Sequence, residues 1–259
     1  MAKYESEALV LRATPYSESS QVLRLLTPDG TLNALARGSA KKSNNFQGPL
    51  DHHLVIEATI ALRQDWQALH TLTRARHIEW FPALERSLRA FGAAEVIREV
   101  LLHTPIPEQD AAFYLTLSRK ALTALGTKAR SLSVATRFLA NWIQHNGLTP
   151  ELQHCVETGR EASGKSAVVL SYREFGLLAR RDALERPDTQ KISAAALRLL
   201  WRVLDLKDSG EREFALPLWN EAFIVCRRIT ELSLGREIRA AQFLLHEERV
   251  ANAGQRRSA

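Results

Sequence analysis

Residues 31–50 read TLNALARGSAKKSNNFQGPL and carry the clearest fold signal in the chain. In the first half, Leu32, Ala34 and Ala36 fall on one face of a strand, and the residues between them fall on the other. Gly38 breaks this strand, and a polar loop rich in Ser, Asn and Lys follows. The stretch therefore predicts a half-buried strand that runs into a mobile polar loop.

The same stretch carries positive charge and contains no acidic residue. Arg37 stands at the end of the strand, and Lys41 and Lys42 stand in the loop. Point charges on flexible stems suit a phosphate backbone, because they demand no rigid geometry. The alternative is an ordinary solvated loop, since short lysine clusters are usually soluble surface. Charge alone leaves both interpretations open.

The composition is that of a globular protein with one large domain or two ordinary ones. The chain has 259 residues, of which 45% are hydrophobic and 25% are charged. A formal net charge of +6 fits an anionic partner but does not require one. The two cysteines, Cys155 and Cys226, are too few for a disulfide framework or a four-thiolate zinc site.

The N-terminus has acidic residues where a secretion signal needs a basic and then an apolar segment. No apolar run approaches the roughly 18 residues of a membrane-spanning helix. We therefore expect a cytoplasmic protein without a membrane partner.

Strand patterns dominate the first 80 residues. They recur at residues 8–13, 21–26, 31–37, 54–63 and 66–78. The sequence Thr-Pro-Asp-Gly at residues 27–30 is a strong turn signal between two of them. Five short strands of this kind predict a small closed barrel, for which an oligonucleotide-binding (OB) fold is the natural candidate. An SH3-like barrel would give a similar pattern.

From Pro82 the apolar period changes to three and four residues, which is typical of amphipathic helices. We predict helices at residues 82–101, 108–125, 131–145, 192–206, 214–234 and 236–249. The expected fold class is α+β with several domains: an OB-fold β-barrel at residues 1–80 and an α-helical domain at residues 81–259. Residues 147–190 are expected to form an irregular insert in the helical domain, with one apolar run at residues 167–170.

One catalytic motif occurs in the insert. Residues 159–166, GREASGKS, satisfy the G-x-x-x-x-G-K-[ST] pattern of a nucleotide phosphate loop. The segment before it lacks the pattern of a buried strand, and the segment after it resembles a strand instead of the required helix. A nucleotide hydrolase using Lys165 and Ser166 therefore stays an alternative, and coincidence is the favoured interpretation.

Other catalytic patterns are lacking in the sequence. His52 and His53 are adjacent, so within a strand they would point to opposite faces and could not bind one metal together. The sequence has no nucleophile elbow and no paired-carboxylate motif. We expect no enzyme activity, no cofactor and no metal.

Three arginine pairs in the helical region could extend a phosphate-binding track or balance nearby acids. They are Arg180 with Arg181, Arg227 with Arg228, and Arg236 with Arg239. The last pair is expected to lie one helical turn apart on one face.

Six short segments occur in a fixed order near the N-terminus: EALVLR at 7–12, PYSESS at 15–20, LLTPDG at 25–30, ARG at 36–38, KKS at 41–43 and FQGPL at 46–50. Their order and spacing resemble the N-terminal barrel of the RecO family of bacterial recombination mediators. The helical stretch, the middle loop at 155–181 and the ending at 234–245 are similar to that family more loosely.

The resemblance implies an OB-fold barrel, a helical domain and, in many members, a zinc module of two C-x-x-C pairs. This chain departs from that module. Cys155 stands where the first pair would begin, but Thr158 takes its partner's position, and Ala179 and Arg180 replace the second pair. We therefore expect an insert that has lost its zinc ligands.

The resemblance also implies a function in DNA repair and recombination. Family members bind single- and double-stranded DNA, anneal complementary strands and act with RecR, and so help RecA replace the single-stranded-DNA-binding protein. The C-terminal tail of that protein is an implied partner, RecA an indirect one, and the implied location is cytoplasmic and nucleoid-associated. A protein-interaction adaptor without DNA binding is a further alternative.

Carried over by position, the DNA-binding cations of the barrel are Arg37, Lys41 and Lys42, with Arg12 and Arg24 as weaker additions. Some family members have a cation where Asn33 stands here. The candidates for base stacking are Tyr16, Phe46 and Trp66, of which Tyr16 is favoured and Trp66 is expected to cover the barrel.

Overall fold

The computed structural model of the chain describes residues 2–48, 50–127, 130–178, 186–205 and 214–257. Its contacts group into two compact units, Met1–Ala129 and Arg130–Ala259. The predicted division at residue 80 follows the change from strands to helices, and it stays a sequence prediction. Within the described ranges, every helix is too short or too polar to cross a membrane.

The first unit contains five strands followed by three helices. In chain order they are β1 (Ala2–Pro15), β2 (Gln21–Thr27), β3 (Gly30–Ala36), β4 (Val55–Leu62), β5 (Leu69–Glu79), α1 (Ala83–Arg86), α2 (Leu88–His103) and α3 (Glu108–Ala124).

The strands close into a barrel in the order β1-β2-β3-β5-β4, and β4 pairs back onto β1. The β3–β5 pair is parallel and the other four pairs are antiparallel. A five-stranded closed barrel of this size is the OB-type barrel that the strand pattern predicted. The fold class is therefore confirmed, although the chain does not follow a simple meander.

The alternation in β3 behaves as predicted. Leu32, Ala34 and Ala36 are buried in the barrel core, and the residues between them are only half-buried. The turn at residues 27–30 is fixed by the Thr27 hydroxyl, which donates to the Gly30 carbonyl over 2.9 Å. Gly30 has φ 135°, and a side chain there would also meet the Trp66 ring at 3.4 Å. Glycine is favoured at this position because of its positive φ, since the contact with Trp66 would be at an ordinary van der Waals distance.

The single helix predicted from residue 82 is two helices. Ser87 has an extended backbone, with φ −141°, and its hydroxyl accepts a hydrogen bond from the Ala90 amide over 3.2 Å. Ser87 is therefore the N-cap of α2, and it ends the continuity with α1. Helix α2 contacts β1, and α3 lies against β2 and β3.

In its described residues, the second unit combines four helices with a small sheet. In chain order they are α4 (Ser131–His145), β6 (Glu151–Cys155), β7 (Val168–Ser171), β8 (Gly176–Leu178), β9 (Thr189–Ile192), α5 (Ala194–Val203), α6 (Leu216–Leu234) and α7 (Arg239–Arg257). Helices α4, α5 and α6 pack against one another.

The insert at residues 147–190 is more regular than predicted. Its strands form a four-stranded sheet in the order β6-β8-β7-β9. Strands of three to five residues offer too few positions for a clear alternation, which is why the sequence pattern showed only one apolar run. The helix predicted from residue 192 begins two residues later, because Ile192 pairs with Val168 and closes β9.

The phosphate-loop match at residues 159–166 connects β6 to β7. It therefore leads into a strand, whereas a phosphate loop must open a helix. Two ordinary backbone hydrogen bonds join this segment to β6. The Cys155 amide donates to the Arg160 carbonyl over 2.8 Å, and the Ala162 amide donates to the Gln153 carbonyl over 2.7 Å. The local geometry does not support the nucleotide-hydrolase alternative.

Packing explains Gly164 of this match without a nucleotide. Gly164 has φ 63°, and a Cβ atom there would stand 2.7 Å from the Trp201 ring. Arg198 donates a hydrogen bond to the Gly164 carbonyl, and the Trp201 indole donates to the Leu152 carbonyl over 2.7 Å. The glycine thus lets the loop lie flat on a buried tryptophan.

Gly164→Ala should lower the free energy of unfolding by about 1–3 kcal/mol more than Gly159→Ala, because only the first substitution overpacks a buried site. Gly159 is a matched control, since it has φ 67° and no atom within 4 Å of an added Cβ. Denaturant unfolding monitored by tryptophan fluorescence measures both. Equal losses for the two variants would contradict the packing role of Gly164.

Candidate nucleic-acid interface

The basic residues Arg37, Lys41 and Lys42 lie at the same end of the barrel as Tyr16. Pro15 pairs with Gln21, and Gln21 pairs with Ala36 on the next strand. The hairpin that carries Tyr16 and the loop that begins at Arg37 therefore leave neighbouring strands side by side. We call residues 37–50 the basic loop and residues 15–20 the hairpin. The Ala40 amide joins them by donating to the Ser19 carbonyl over 3.1 Å.

The three basic-loop cations are available for a partner. Arg37, Lys41 and Lys42 are exposed. In the described parts of the chain, no carboxylate oxygen lies within 4 Å of their charged nitrogens. The basic loop has no acidic residue, and the hairpin has one, the exposed Glu18. The end of the barrel therefore presents positive charge that no described side chain neutralises.

The side-chain amide of Gln21 holds both ends of the basic loop. The Gln21 Oε1 atom accepts hydrogen bonds from the Ser39 hydroxyl over 2.9 Å and from the Leu50 amide over 3.1 Å. The Gln21 Nε2 atom donates to the Leu50 carbonyl over 2.8 Å. Ser39 and Leu50 are both almost fully buried. A single side chain thus holds the two ends of the loop together, and Lys41 and Lys42 lie on an exposed segment between them.

The middle of the basic loop is anchored by Phe46. This ring is 4% exposed and belongs to the barrel core. The Phe46 amide donates to the Ser43 hydroxyl over 3.2 Å, and the neighbouring Asn45 carbonyl accepts from the Ala75 amide over 2.9 Å. The prediction of Phe46 as a stacking ring is therefore wrong, and the mobility of the loop stays a prediction. Lys41 and Lys42 lie on a short exposed segment between two buried anchors.

Tyr16 is the stacking candidate that remains accessible. Its side chain is 66% exposed, and its amide donates to the Ser20 carbonyl over 2.8 Å, which fixes the hairpin. Trp66 is half-buried against the barrel core, and its indole donates to the Thr31 carbonyl over 3.2 Å. The expectation that Trp66 covers the barrel is confirmed, and it does so near Gly30, away from the hairpin.

The two weaker barrel cations differ in accessibility. Arg12 and Arg24 face each other across the β1–β2 pair, and Asn33 follows opposite Arg24 on β3. Arg12 is exposed, whereas Arg24 is half-buried and its Nε atom has no hydrogen-bond partner among the described residues. Since α3 lies against β2 and β3, Arg12 is the better placed of the two for a phosphate.

Two of the arginine pairs in the second unit can be placed in part. Arg180 and Arg181 lie outside the described residues. Arg227 has its Nε atom 3.6 Å from a Glu231 carboxylate oxygen, and Arg228 has its Nη2 atom 3.3 Å from Asp188. These ion pairs reduce the charge that the α6 arginines can offer to a phosphate.

The prediction that Arg236 and Arg239 lie on one helix is wrong. Gly235 adopts φ 64° and caps the end of α6, and α7 starts only at Arg239. Arg236 therefore lies in the connection between the two helices. Both arginines are exposed, and their part in a phosphate track stays a prediction.

In the insert that resembles a zinc module without its ligands, the first candidate ligand, Cys155, is buried. Cys155 is 4% exposed at the end of β6, and Thr158 is exposed in the loop after it. Ala179 and Arg180 lie outside the described residues. The other cysteine, Cys226, is fully buried in α6, and burial raises the pKa of its thiol to about 12.

The prediction for His52 and His53 is wrong, because they lie in a turn before β4 and not in a strand. His53 has φ 69°, which brings both rings to the same side. The His52 and His53 Nε2 atoms stand 3.4 and 2.9 Å from one oxygen of Glu95 in α2. The sequence carried one signal of this turn, the Gly48-Pro49 dipeptide followed by Asp51. Nothing in the pattern linked it to Glu95.

Gln21→Ala should speed tryptic cleavage after Lys41 and Lys42 at least about tenfold, because it removes three hydrogen bonds worth roughly 0.5–1.5 kcal/mol each from the loop ends. The control is Asn44→Ala, whose exposed side chain makes none of these bonds. Timed proteolysis of the folded protein measures the rates. The anchoring role of Gln21 is contradicted if both variants are cut as slowly as the wild type.

Comparison with known proteins agrees with this architecture over almost the whole chain. The family model "Recombination protein O N terminal" matches residues 1–81, and "Recombination protein O C terminal" matches residues 85–241. The DNA repair protein RecO of Synechococcus sp. (strain JA-3-3Ab) is 27% identical over 257 residues, which cover 93% of this chain and 84% of the relative.

The DNA repair protein RecO of Anaeromyxobacter sp. (strain K) is 29% identical over 252 residues, which cover 94% of this chain and 96% of the relative. That of Rhodopirellula baltica is 30% identical over 159 residues, 60% of this chain and 57% of the relative. The two family models meet where the strands of the barrel give way to the helices. The chain belongs to the RecO family.

Proposed function

We propose that this protein is a DNA-binding recombination mediator in DNA repair that holds single- and double-stranded DNA at the hairpin end of its barrel. The observation that carries the proposal is the set of three exposed basic-loop cations, Arg37, Lys41 and Lys42, without a carboxylate partner in the described structure. Relatives named DNA repair protein RecO along the whole chain support it.

The anchored loop determines what kind of recognition is expected. Phosphate contacts from lysine and arginine fix the position of a nucleic acid but carry no sequence information. Tyr16 can add the stacking of one base, worth about 1–3 kcal/mol and tolerant of sequence. Arg12 extends the cationic surface along β1. We therefore expect binding with little sequence preference.

Strand annealing follows from the same charges without a chemical step. Two DNA strands repel each other through their phosphates, and a surface that neutralises part of both lowers that repulsion. The protein is accordingly proposed to act without nucleotide hydrolysis and without a cofactor, in the cytoplasm and in association with the nucleoid.

The protein partners are proposed from family membership. They are RecR, the C-terminal tail of the single-stranded-DNA-binding protein and, indirectly, RecA. An acidic and partly apolar tail fits the α6–α7 segment, where the exposed Leu232 and Phe243 occur with the exposed Arg236 and Arg239. Peptide binding by this segment without any DNA binding by the barrel would favour the adaptor alternative.

A triple variant in which Arg37, Lys41 and Lys42 are changed to Ala should show a weaker salt dependence of single-stranded DNA binding. With about four phosphate contacts, the wild type should show a log–log slope of roughly −3, and the triple variant roughly −1, since each lost contact removes about 0.7. Fluorescence anisotropy with a labelled oligonucleotide over a salt series measures the slopes, and strand annealing is followed under the same conditions.

A second triple variant controls for net charge. Arg63, Arg86 and Lys120 are exposed on the same unit, and their change to Ala removes the same three charges at other places. This control should keep a slope near −3, as expected from about four retained contacts. If the basic-loop variant behaves like the control, the DNA site lies elsewhere and the proposal is overturned.

Lys165→Ala should leave DNA binding and annealing unchanged, and neither it nor the wild type should bind magnesium-ATP. The reason is that residues 159–166 open a strand and so lack the aligned amides of a helix N-terminus. Equilibrium binding of a fluorescent ATP analogue measures this. Magnesium-dependent binding that Lys165→Ala abolishes would select the nucleotide-hydrolase alternative.

A further inference from the structure

Three side chains with metal-binding atoms meet between the turn before β4 and helix α2. The Glu95 Oε1 atom lies 3.4 Å from His52 Nε2 and 2.9 Å from His53 Nε2. All three ligand atoms lie within 4.8 Å of one another, and no other such group of three occurs among the described residues. The cluster belongs wholly to the first unit and includes neither cysteine.

The orientation of His52 is fixed by a carboxylate outside this triangle. Its Nδ1 atom lies 2.6 Å from an Asp51 carboxylate oxygen, which also accepts from the His52 amide over 2.7 Å. In the neutral ring, the proton therefore sits on Nδ1 and the lone pair sits on Nε2. A carboxylate that holds the outer nitrogen of a histidine is the usual arrangement behind a metal-ligating imidazole.

The spacing of His52 and Glu95 fits two ligands of one metal ion. His52 Nε2 lies 3.4 Å from Glu95 Oε1, which is longer than an ordinary N–H···O hydrogen bond. Ligands at about 2.0–2.1 Å from a tetrahedral zinc ion lie roughly 3.3 Å from one another. The separation of these two atoms is that of two ligands of one ion.

His53 is held in place independently of any metal. It keeps φ 69°, which is uncommon for a residue with a side chain, and its amide donates to the Val10 carbonyl over 3.0 Å. Its ring is packed edge-to-face on Phe91, with 6.4 Å between ring centroids.

Arg98 competes with a metal for the same carboxylate. Its Nε atom donates to Glu95 Oε1 over 2.8 Å, its Nη2 atom donates to the other oxygen, and its Nη1 atom donates to the Leu11 carbonyl over 3.4 Å. An ion that takes Oε1 must displace the Arg98 Nε contact and replace the 2.9 Å hydrogen bond between His53 Nε2 and Oε1, whereas Arg98 can keep Oε2 and Leu11. The guanidinium should therefore weaken metal binding without blocking it.

We propose that His52, His53 and Glu95 bind one divalent transition metal ion of the zinc class, with Asp51 as the outer partner of His52. Two imidazoles and one carboxylate suit zinc, and they leave a fourth position for water. That position opens on the His52 side, where the ring is 31% exposed and the other two ligands are mostly covered. The ion would tie the residues directly after the basic loop to α2.

The test is titration of the full chain with cobalt(II) and with zinc. Cobalt should bind one ion per chain and give the visible absorption of a tetrahedral site, and zinc should displace it. His52→Ala should weaken binding about 100-fold, and Asp51→Asn about tenfold, as for other outer-shell partners. Arg98→Gln should tighten binding about tenfold, because it removes the competing positive charge.

The control is His154→Ala, which removes an exposed histidine 3.6 Å from the Glu151 carboxylate, in the second unit. It should bind cobalt like the wild type. Circular dichroism checks the folding of each variant, and the wild-type cobalt spectrum tests the site even if a variant fails to fold. The proposal is overturned if the wild type gives no tetrahedral cobalt spectrum, or if His52→Ala and His154→Ala bind equally well.

Discussion

The hydrogen bonds of Gln21 are the constraint on which the candidate DNA surface depends. The connection between β3 and β4, residues 37–54, would ordinarily sample many conformations, and its lysines would hold no fixed place. Because one amide binds Ser39 and both backbone groups of Leu50, the loop starts and ends at one point. Phe46 packs into the barrel core and anchors the middle of the loop, so the exposed segment that carries Lys41 and Lys42 is short.

This arrangement lets the barrel hold charges together that would otherwise repel each other. Arg37, Lys41 and Lys42 have no described carboxylate partner, and their mutual repulsion opposes the folded loop. The buried anchors at Ser39, Phe46 and Leu50 offset that repulsion. These anchors therefore hold the exposed cations at one end of the barrel.

Much of the fold could be predicted from the sequence because its signals are local. The alternation of Leu32, Ala34 and Ala36 and the turn at residues 27–30 each depend on neighbouring residues only, and both hold in the structure. The parallel pairing of β3 with β5 and the cap at Ser87 depend on tertiary context, so periodicity did not reveal them. The short strands of the insert were missed because three to five positions define no period.

The charged residues of the candidate site could be predicted from the sequence, but the residues that hold them in place could not. Arg37, Lys41 and Lys42 can be read as cations in a loop, but nothing local marks Gln21 as the residue that closes it, 29 positions before Leu50. The convergence of His52, His53 and Glu95 was equally hidden, because it needs a left-handed residue in a turn and a helix from a later part of the chain.

The most direct measurement of the central claim is an NMR titration of backbone amides with a single-stranded oligonucleotide. The account predicts that the largest shift changes fall in residues 16–19 and 37–42, the two segments that lie side by side at one end of the barrel. Changes confined to the opposite end around Gly30 and Trp66, or to residues 159–166, with the basic loop unaffected, would contradict it.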